Sequence, residues 1–109
     1  MKYDVSLTSP AEFDLISISD YIAIELGEPA VARKLIAKIK KAVLSLDEMP
    51  YRRAEIDIEI TGVPGIRFLI EANYLIFYHI REEEKSVRVL RVLYGKRDWQ
   101  TILSGTSLD

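Results

Sequence analysis

Three strand-like runs joined by very short connections restrict the fold more than any other feature of the sequence. They span Ile66 to Glu71, Tyr74 to Ile80 and Val87 to Leu93. The connections, Ala72-Asn73 and residues 81–86, are too short for the crossover that parallel neighbours need, so they favour antiparallel pairing in a meander. Runs such as Leu75-Ile76-Phe77 place apolar side chains on both faces of the strands. Both faces of this sheet therefore need to be covered.

A strand and a helix are predicted ahead of the meander. Residues 2–8 alternate apolar and polar side chains, which is the period of a half-buried strand. Ser9 is predicted to be the N-cap of the helix, with Pro10 in the first turn and Glu12 completing a capping box. The stripe predicted to face the core consists of Ala11, Leu15, Ile18 and Ile22, widened by Ile16 and Tyr21.

A second amphipathic helix is predicted between Gly27-Glu28-Pro29 and residues 47–50. Its apolar stripe consists of Ala32, Leu35, Ile39, Ala42 and Leu46. The opposite face is basic and carries Arg33, Lys34, Lys38, Lys40 and Lys41. Because the connection is short, the two helices should form an antiparallel hairpin that covers one face of the meander. The other face is left to a partner protein or to the rest of the chain.

The remaining segments complete an α+β domain. Residues 55–60 alternate acidic residues with isoleucine, which indicates either a short edge strand or a simple connection. A short helix is predicted from Trp99 to Leu103, ahead of a frayed tail at 105–109. We therefore expect residues 1–109 to form one domain: an N-terminal strand, an antiparallel helical hairpin packed on an antiparallel β-meander, and a short C-terminal helix.

Composition excludes several classes of site. The chain has no cysteine and a single histidine, His79, so disulfides and the usual zinc sites cannot be built, and we expect no metal and no cofactor. No run of uncharged apolar residues is long enough to span a membrane, and the N-terminus lacks the apolar run of a signal peptide. We therefore expect a cytoplasmic protein.

The net charge of −2 conceals alternating charged blocks. Counting ionisable residues gives −5 for 1–32, +5 for 33–53, −5 for 54–84 and +3 for 85–109. Attraction at contact distance depends on local charge, so the two basic blocks are able to face an acidic partner. For any single lysine or arginine, a solvated surface position is the simpler explanation.

The two ends of the sequence resemble the RelE/ParE family. The stretch Tyr74-Leu75-Ile76-Phe77-Tyr78, followed by Val89 to Trp99 with the letters VLRVLYGKRDW, is similar to the family's closing strands and turn. Ser9-Pro10-Ala11 with Asp14-Leu15 resembles its opening helix, and Gly65-Ile66-Arg67 its second strand. The resemblance spans residues 3 to 103 and implies the order strand, helical hairpin, meander and short helix.

The resemblance implies a toxin that a cognate antitoxin neutralises by wrapping around it. Members of the family act in two ways: some inhibit DNA gyrase by binding, and others cleave messenger RNA on the ribosome. An inactive interaction module is a third alternative. One fold commonly carries different functions, so the choice has to rest on individual residues.

Five residues on the strands and in the closing turn are candidates for function: Arg67, Arg91, Tyr94, Lys96 and Arg97. For metal-free RNA cleavage, the candidate catalytic residues are Arg67, Tyr94 and Arg97, with His79 a weaker candidate for a base. For target binding, the candidates are Arg91, Lys96 and Arg97. Strand alternation places Arg91 and Tyr94 on opposite faces, so the five should not all share one site.

Departures from the nuclease pattern favour the binding mechanism. The resemblance implies that a RelE-like nuclease has two lysines on the second strand, an arginine after the third strand's tyrosine and a tyrosine in the last helix. This sequence has Phe68, Ile70, Leu75 and Leu103 at those positions. Of the nuclease set, only Arg97 remains. The alternative roles of Arg97 are a target contact and a local ion pair with Asp98.

Overall fold

The computed structural model describes residues 2–105 and 108, and its elements follow the predicted order. The first half contains strand β1 (Asp4–Leu7), helix α1 (Ser9–Asp20) with a π-helical turn (Tyr21–Glu25), and helix α2 (Pro29–Leu44). The second half contains helix α3 (Ile58–Thr61), strands β2 (Ile66–Glu71), β3 (Tyr74–Arg81) and β4 (Ser86–Tyr94), and helix α4 (Trp99–Ser104).

The predicted meander is confirmed, and β1 extends it into a mixed sheet. Strands β2, β3 and β4 pair antiparallel, and the two-residue turn Ala72-Asn73 joins β2 to β3 with Ala72 at a φ of 55°. Strand β1 pairs parallel with β4, so the order across the sheet is β1-β4-β3-β2. The last strand in the sequence therefore lies in the middle of the sheet, beside the first.

The helical hairpin covers one face of the sheet, as predicted. Its stripes are buried together with the facing strand residues in one cluster, whose fully buried members include Ala11, Ile39, Leu46, Ile76, Tyr78, Val87 and Val89. The basic residues of α2 are all exposed, which confirms the predicted polarity of that helix. Ile16 and Tyr21 do not widen the core stripe of α1: they are 59% and 56% exposed.

The opposite face is covered by the chain itself rather than by a partner. A second cluster forms around Phe77 and consists of Ile56, Ile66, Phe77, Leu90, Leu93 and Leu103. Trp99 of α4 packs on it, with its ring 5.3 Å from that of Phe77. The apolar residues that suggested a partner on this face are therefore largely intramolecular core.

Thr8, rather than Ser9, is the N-cap of α1. Its hydroxyl accepts a hydrogen bond from the Ala11 N–H at 3.2 Å and donates one to the Leu90 carbonyl at 2.9 Å. Ser9 and Pro10 are the first helical residues. The prediction was wrong by one residue because Thr8, directly after β1, is buried beside β4, where its hydroxyl satisfies two backbone groups at once.

Residues 55–60 do not form an edge strand. Glu55 makes a single antiparallel bridge to Arg67, and the chain then turns into α3. The Asp57 carboxylate accepts from the Glu59 N–H at 2.9 Å and thereby begins that helix. The alternation of acidic and isoleucine residues is thus a cap followed by a helical turn, which local periodicity over six residues cannot distinguish from a strand.

The C-terminal helix begins at Trp99 as predicted, with Asp98 as its cap. The Asp98 carboxylate accepts from the Thr101 hydroxyl at 2.8 Å and from the Thr101 N–H at 3.5 Å. Leu108, in the tail that was predicted to fray, packs against the second cluster. Residues 106, 107 and 109 of the predicted tail lie outside the described residues.

Two classes of feature are missing from the described part of the chain. None of its helices is long and apolar enough to cross a membrane. Its histidine, aspartate and glutamate side chains form no group of three that could hold a metal ion.

His79 is a packed histidine in the middle of the sheet. Its Nδ1 is buried and has no hydrogen-bond partner within 2–105 and 108. Gly65, at a φ of +86°, lies so close that a Cβ there would be 3.2 Å from two ring atoms. Burial, and secondarily the charge of Arg81, lowers the pKa of His79 below its ordinary value. The ring is therefore neutral at neutral pH.

The packing of Trp99 predicts a structural role for this residue. Trp99→Ala should lower the free energy of unfolding by about 3 kcal/mol, because truncating an aromatic ring in a core leaves a cavity. Denaturant titration of the variant measures this loss. Gln100→Ala, which changes an exposed neighbour in the same helix, is the control and should shift stability by less than about 0.5 kcal/mol. Equal stability of the two variants would contradict the packing.

The lowered pKa of His79 predicts a pH-dependent stability. The unfolded chain binds the histidine proton more readily than the folded chain, so the free energy of unfolding should fall as the pH drops below 6.5, the ordinary histidine value. Unfolding titrations at pH about 7.5 and about 5.5 measure this decrease. The decrease should be smaller in His79→Gln, which does not titrate; an equal decrease would exclude His79 as its source.

Candidate functional site

The first turns of α1 complete the edge of β4 where β1 ends. Strand β1 pairs with β4 only as far as Val89, so the next backbone groups of β4 have no strand beside them. Thr8 fills the first of these positions: its N–H donates to the Val89 carbonyl at 3.0 Å, and its hydroxyl donates to the Leu90 carbonyl. Further along, the Val92 N–H donates to the Asp14 carboxylate at 2.9 Å.

Asp14 also forms a two-pronged ion pair with Arg91. The Arg91 Nε and one terminal nitrogen donate to the two carboxylate oxygens at 2.7 and 2.8 Å. The Asp14 side chain is only 7% exposed and that of Arg91 20%. The hydrogen bonds to Asp14 raise the pKa of the Arg91 guanidinium above its ordinary value. The positive charge of Arg91 is therefore neutralised locally.

The Asp14 pair brings Arg91 and Tyr94 to the same cavity, contrary to the prediction from strand alternation. Arg91 is opposite Phe77 and Tyr94 is opposite Tyr74 in the register of β3 and β4. Alternation therefore directs the two Cβ atoms to opposite faces. The long Arg91 side chain nevertheless reaches Asp14 at the open edge of β4, where its guanidinium lines the cavity with Tyr94.

This cavity, about 810 Å³ in volume, lies between α1 with its π-helical turn and the ends of β3 and β4. Most of its wall is apolar and is supplied by Phe13, Ile18, Tyr21, Ile22, Leu26 and Val92. The polar groups of the wall come from α1, from the ends of β3 and β4 and from the turn after β4; they are Asp14, Ser17, Tyr74, Arg91, Tyr94 and Arg97. Phe13 is 68% exposed, so the cavity opens onto an apolar surface.

The turn after β4 holds Lys96 and Arg97 at the surface beside this cavity. The Gly95 N–H donates to the Asn73 carbonyl at 2.8 Å, and the Arg97 N–H donates to the Tyr94 carbonyl at 3.0 Å. A Cβ at position 95 would lie 3.3 Å from the Asn73 oxygen, which explains the glycine. Both cations are exposed, and neither has an ion-pair partner in the described part of the chain. Asp98 instead caps α4.

Arg67 lies outside this cavity, on β2. It is opposite Tyr78 in the register of β2 and β3, whereas the turn after β4 adjoins the other end of β3. Its guanidinium donates to the Arg53 carbonyl, approaches Glu55 at 3.4 Å and lies 5.0 Å from the centre of the Tyr51 ring. The fold therefore brings Tyr94 and Arg97 together but leaves the third candidate catalytic residue, Arg67, in a separate cluster.

The positions where the resemblance implies nuclease residues form part of the core instead. Phe68, Leu75 and Leu103 all belong to the second cluster around Phe77. The Phe68 ring lies 5.9 Å from that of Phe77. Ile70 is on the same face but is 59% exposed. All four positions are thus apolar, and three of them pack together where α4 meets the sheet.

Sequence reasoning missed Asp14 as a site residue. It follows Ala11 at a helical step of three and precedes Leu15, so it is a single carboxylate within the core-facing stripe of α1. A carboxylate at such a position requires a buried partner, so the sequence could have identified Asp14 as a paired residue. The sequence could not identify the partner, Arg91, because it lies 77 residues away.

Comparisons with known proteins agree with this architecture. A family model, described as ParE toxin of type II toxin-antitoxin system, parDE, matches residues 5–99. A structure titled as a chromosomal ParDE system from P. aeruginosa superimposes with a TM-score of 0.68 at 23% identity, covering 85% of this chain and 96% of that one. No curated protein sequence matches the chain significantly.

Two further structures show the same fold at lower identity. The RelBE2 toxin–antitoxin complex of Mycobacterium tuberculosis gives a TM-score of 0.62 at 19% identity, covering 86% of this chain and 99% of that one. A mutant of the E. coli toxin RelE in the free state, with two arginines replaced by alanine, gives 0.63 at 15% identity, covering 95% of both chains. Since the family model matches nearly the whole chain, this protein belongs to the ParE toxins of type II toxin–antitoxin systems.

Proposed function

We propose that this toxin is neutralised by a cognate antitoxin protein and arrests growth by binding DNA gyrase rather than by cutting RNA. The observation that carries the choice is the apolar cluster around Phe77 in which Phe68 of β2, Leu75 of β3 and Leu103 of α4 pack together. The similar solved structures include toxins named for both branches of the family, so the choice rests on the residues of this chain. Gyrase as target would place the action of the toxin in the cytoplasm.

The chemistry of RNA cleavage explains why apolar residues at these positions argue against a nuclease. Metal-free cleavage needs a base for the 2′-hydroxyl, cations for the negative charge of the transition state and an acid for the leaving oxygen. The phenylalanine and leucine side chains at these positions supply none of these groups. The other candidates are poorly placed for such a set, because Arg67 pairs with Glu55 and the half-buried ring of His79 lies against Gly65.

A binding mechanism accounts better for the exposed groups at the end of the sheet. Arg97 lines the apolar cavity and Lys96 precedes it in the same turn, and neither cation has an ion-pair partner among the described residues. Exposed arginine and aromatic side chains of this kind dominate the energetics of many protein interfaces. In this proposal Lys96 and Arg97 contact the target. Arg91, which is paired with Asp14, instead positions α1 against β4.

Two substitutions distinguish an arginine that contacts the target from one that stabilises the fold. Arg97→Ala should raise the concentration needed for half-inhibition of the target about tenfold, the effect of losing a central interface arginine. Its free energy of unfolding should change by less than about 0.5 kcal/mol, because the side chain is exposed. Arg91→Ala should instead lose about 3 kcal/mol of stability, because it leaves the buried Asp14 carboxylate without its cation. Parallel losses of stability and inhibition in Arg97→Ala would make that residue structural.

Two purified assays distinguish the mechanisms. The toxin should inhibit supercoiling by DNA gyrase at near-stoichiometric concentration and should leave messenger RNA on programmed ribosomes intact. Codon-positioned cleavage of that RNA would instead support the nuclease alternative, with Tyr94, Arg97 and Arg67 as the residues to test. Inactivity in both assays would leave an interaction module that binds only an antitoxin.

Growth tests examine the toxin–antitoxin pairing itself. Expression of the chain alone should arrest growth, and co-expression of a small acidic protein encoded beside it should restore growth. Arg97→Ala, expressed to the same soluble level, is the matched control and should arrest growth less. Normal growth with verified soluble wild-type protein would contradict the proposed toxicity.

A further inference from the structure

Two buried nitrogen atoms without a partner lie on neighbouring strands of the sheet. His79 of β3 is opposite Arg88 of β4 in the strand register. The His79 Nδ1 and the Arg88 Nε are both buried, and neither has a hydrogen-bond partner within residues 2–105 and 108. Because nearly all buried polar side-chain atoms in proteins are paired, two neighbouring exceptions require a partner from outside this part of the chain.

Arg88 also has a charge that no neighbour balances. Its guanidinium is always protonated, and it forms no ion pair with a carboxylate among the described residues. Asp4, on the adjacent strand β1, is exposed and is not paired with it. A water molecule satisfies a nitrogen atom but does not balance a partly buried charge. The half-buried Arg88 side chain, reachable from solvent, therefore favours an anion.

A third hydrogen-bond donor lies in the same row. Tyr78 and Val89 point towards the helical hairpin, so His79 and Arg88 point to the opposite face of the sheet. Ser6 of β1 is paired with Arg88 in the register and is exposed. A hydroxyl, a guanidinium and an imidazole thus follow one another across three strands, at the strand spacing of about 4.8 Å. We call these three residues the Arg88 row.

The surroundings of the Arg88 row fix the imidazole and add positive charge. A Cβ at Gly65 would lie 3.2 Å from the Cδ2 and Nε2 atoms of His79, so the turn before β2 confines that side of the ring. Arg81 is close enough for its charge to contribute to lowering the pKa of His79. Its guanidinium donates to the Leu108 carbonyl at 3.4 Å. The row is therefore held in place and lies in a positive local field.

We propose that the Arg88 row binds a phosphate group on the face of the sheet opposite the helical hairpin. A phosphate presents oxygen atoms in several directions and accepts hydrogen bonds from a hydroxyl, a guanidinium and an imidazole at once. His79 is five residues from Tyr74 along β3, or about 16 Å at about 3.3 Å per residue. The site is therefore separate from the cavity at the other end of the sheet and does not depend on the proposed target.

The direct test is a titration of the isotope-labelled wild-type protein with inorganic phosphate. Sodium chloride at equal ionic strength is the reference. Phosphate should produce saturable shifts of the Ser6 amide, the Arg88 Nε–H and the His79 ring resonances. Shifts that appear only at exposed lysines such as Lys34, or that chloride reproduces, would overturn the proposal.

Arg88→Met tests whether the charge of Arg88 serves a ligand or the fold. Phosphate at about ten times its dissociation constant should raise the thermal midpoint of the wild type by about 5 °C more than that of Arg88→Met. This comparison removes the general stabilisation by phosphate. Without phosphate, the midpoint of Arg88→Met should be unchanged or higher, because the lost charge has no partner.

The matched control makes the same substitution on the exposed face of α2. Arg33→Met should retain the whole phosphate-dependent shift of the wild type. A destabilised Arg88→Met that still responds to phosphate would make Arg88 structural and overturn the site. If Arg88→Met fails to fold, Ser6→Ala decides: it changes an exposed side chain and should weaken phosphate binding about fivefold, whereas unchanged affinity would contradict the row.

Two further measurements identify the source of the phosphate. A dinucleoside monophosphate that competes with inorganic phosphate at the same resonances would indicate a nucleic-acid backbone. Binding of inorganic phosphate alone would indicate a phosphate monoester, and either result supports the site. Asp109→Asn tests the chain's own acidic residue after Leu108. Phosphate binding that appears only in Asp109→Asn would make Asp109 the counter-ion of Arg88 and overturn the proposal.

Discussion

The Asp14 carboxylate accepts hydrogen bonds from the Arg91 guanidinium and from the Val92 N–H, and both contacts fix α1 against β4. Removing one partner of a buried ion pair typically costs about 3 to 5 kcal/mol, because the remaining charge is left without solvent or counter-ion. The cavity at the end of the sheet exists only while α1 is held at this distance. The shape of this cavity and the stability of the fold therefore depend on the same carboxylate.

Local patterns predicted the elements that depend on neighbours in sequence. The meander followed from the two short connections, and both amphipathic helices followed from the spacing of residues such as Leu15 and Ile39. The parallel pairing of β1 with β4 did not follow, because Val5 and Val87 come together only through the complete fold. Likewise, the shift of the N-cap to Thr8 depends on the Leu90 carbonyl, which no pattern near residue 8 reveals.

The candidate functional site was also predictable only in part, because some of its contacts join residues that are distant in sequence. The turn with Lys96 and Arg97 was identified from the family resemblance, and the structure places it beside the cavity. Strand alternation failed for Arg91 because alternation fixes the direction of a Cβ atom, whereas a guanidinium can reach around an open strand edge. Asp14 determines where that guanidinium lies, and its role required knowledge of a contact across 77 positions of sequence.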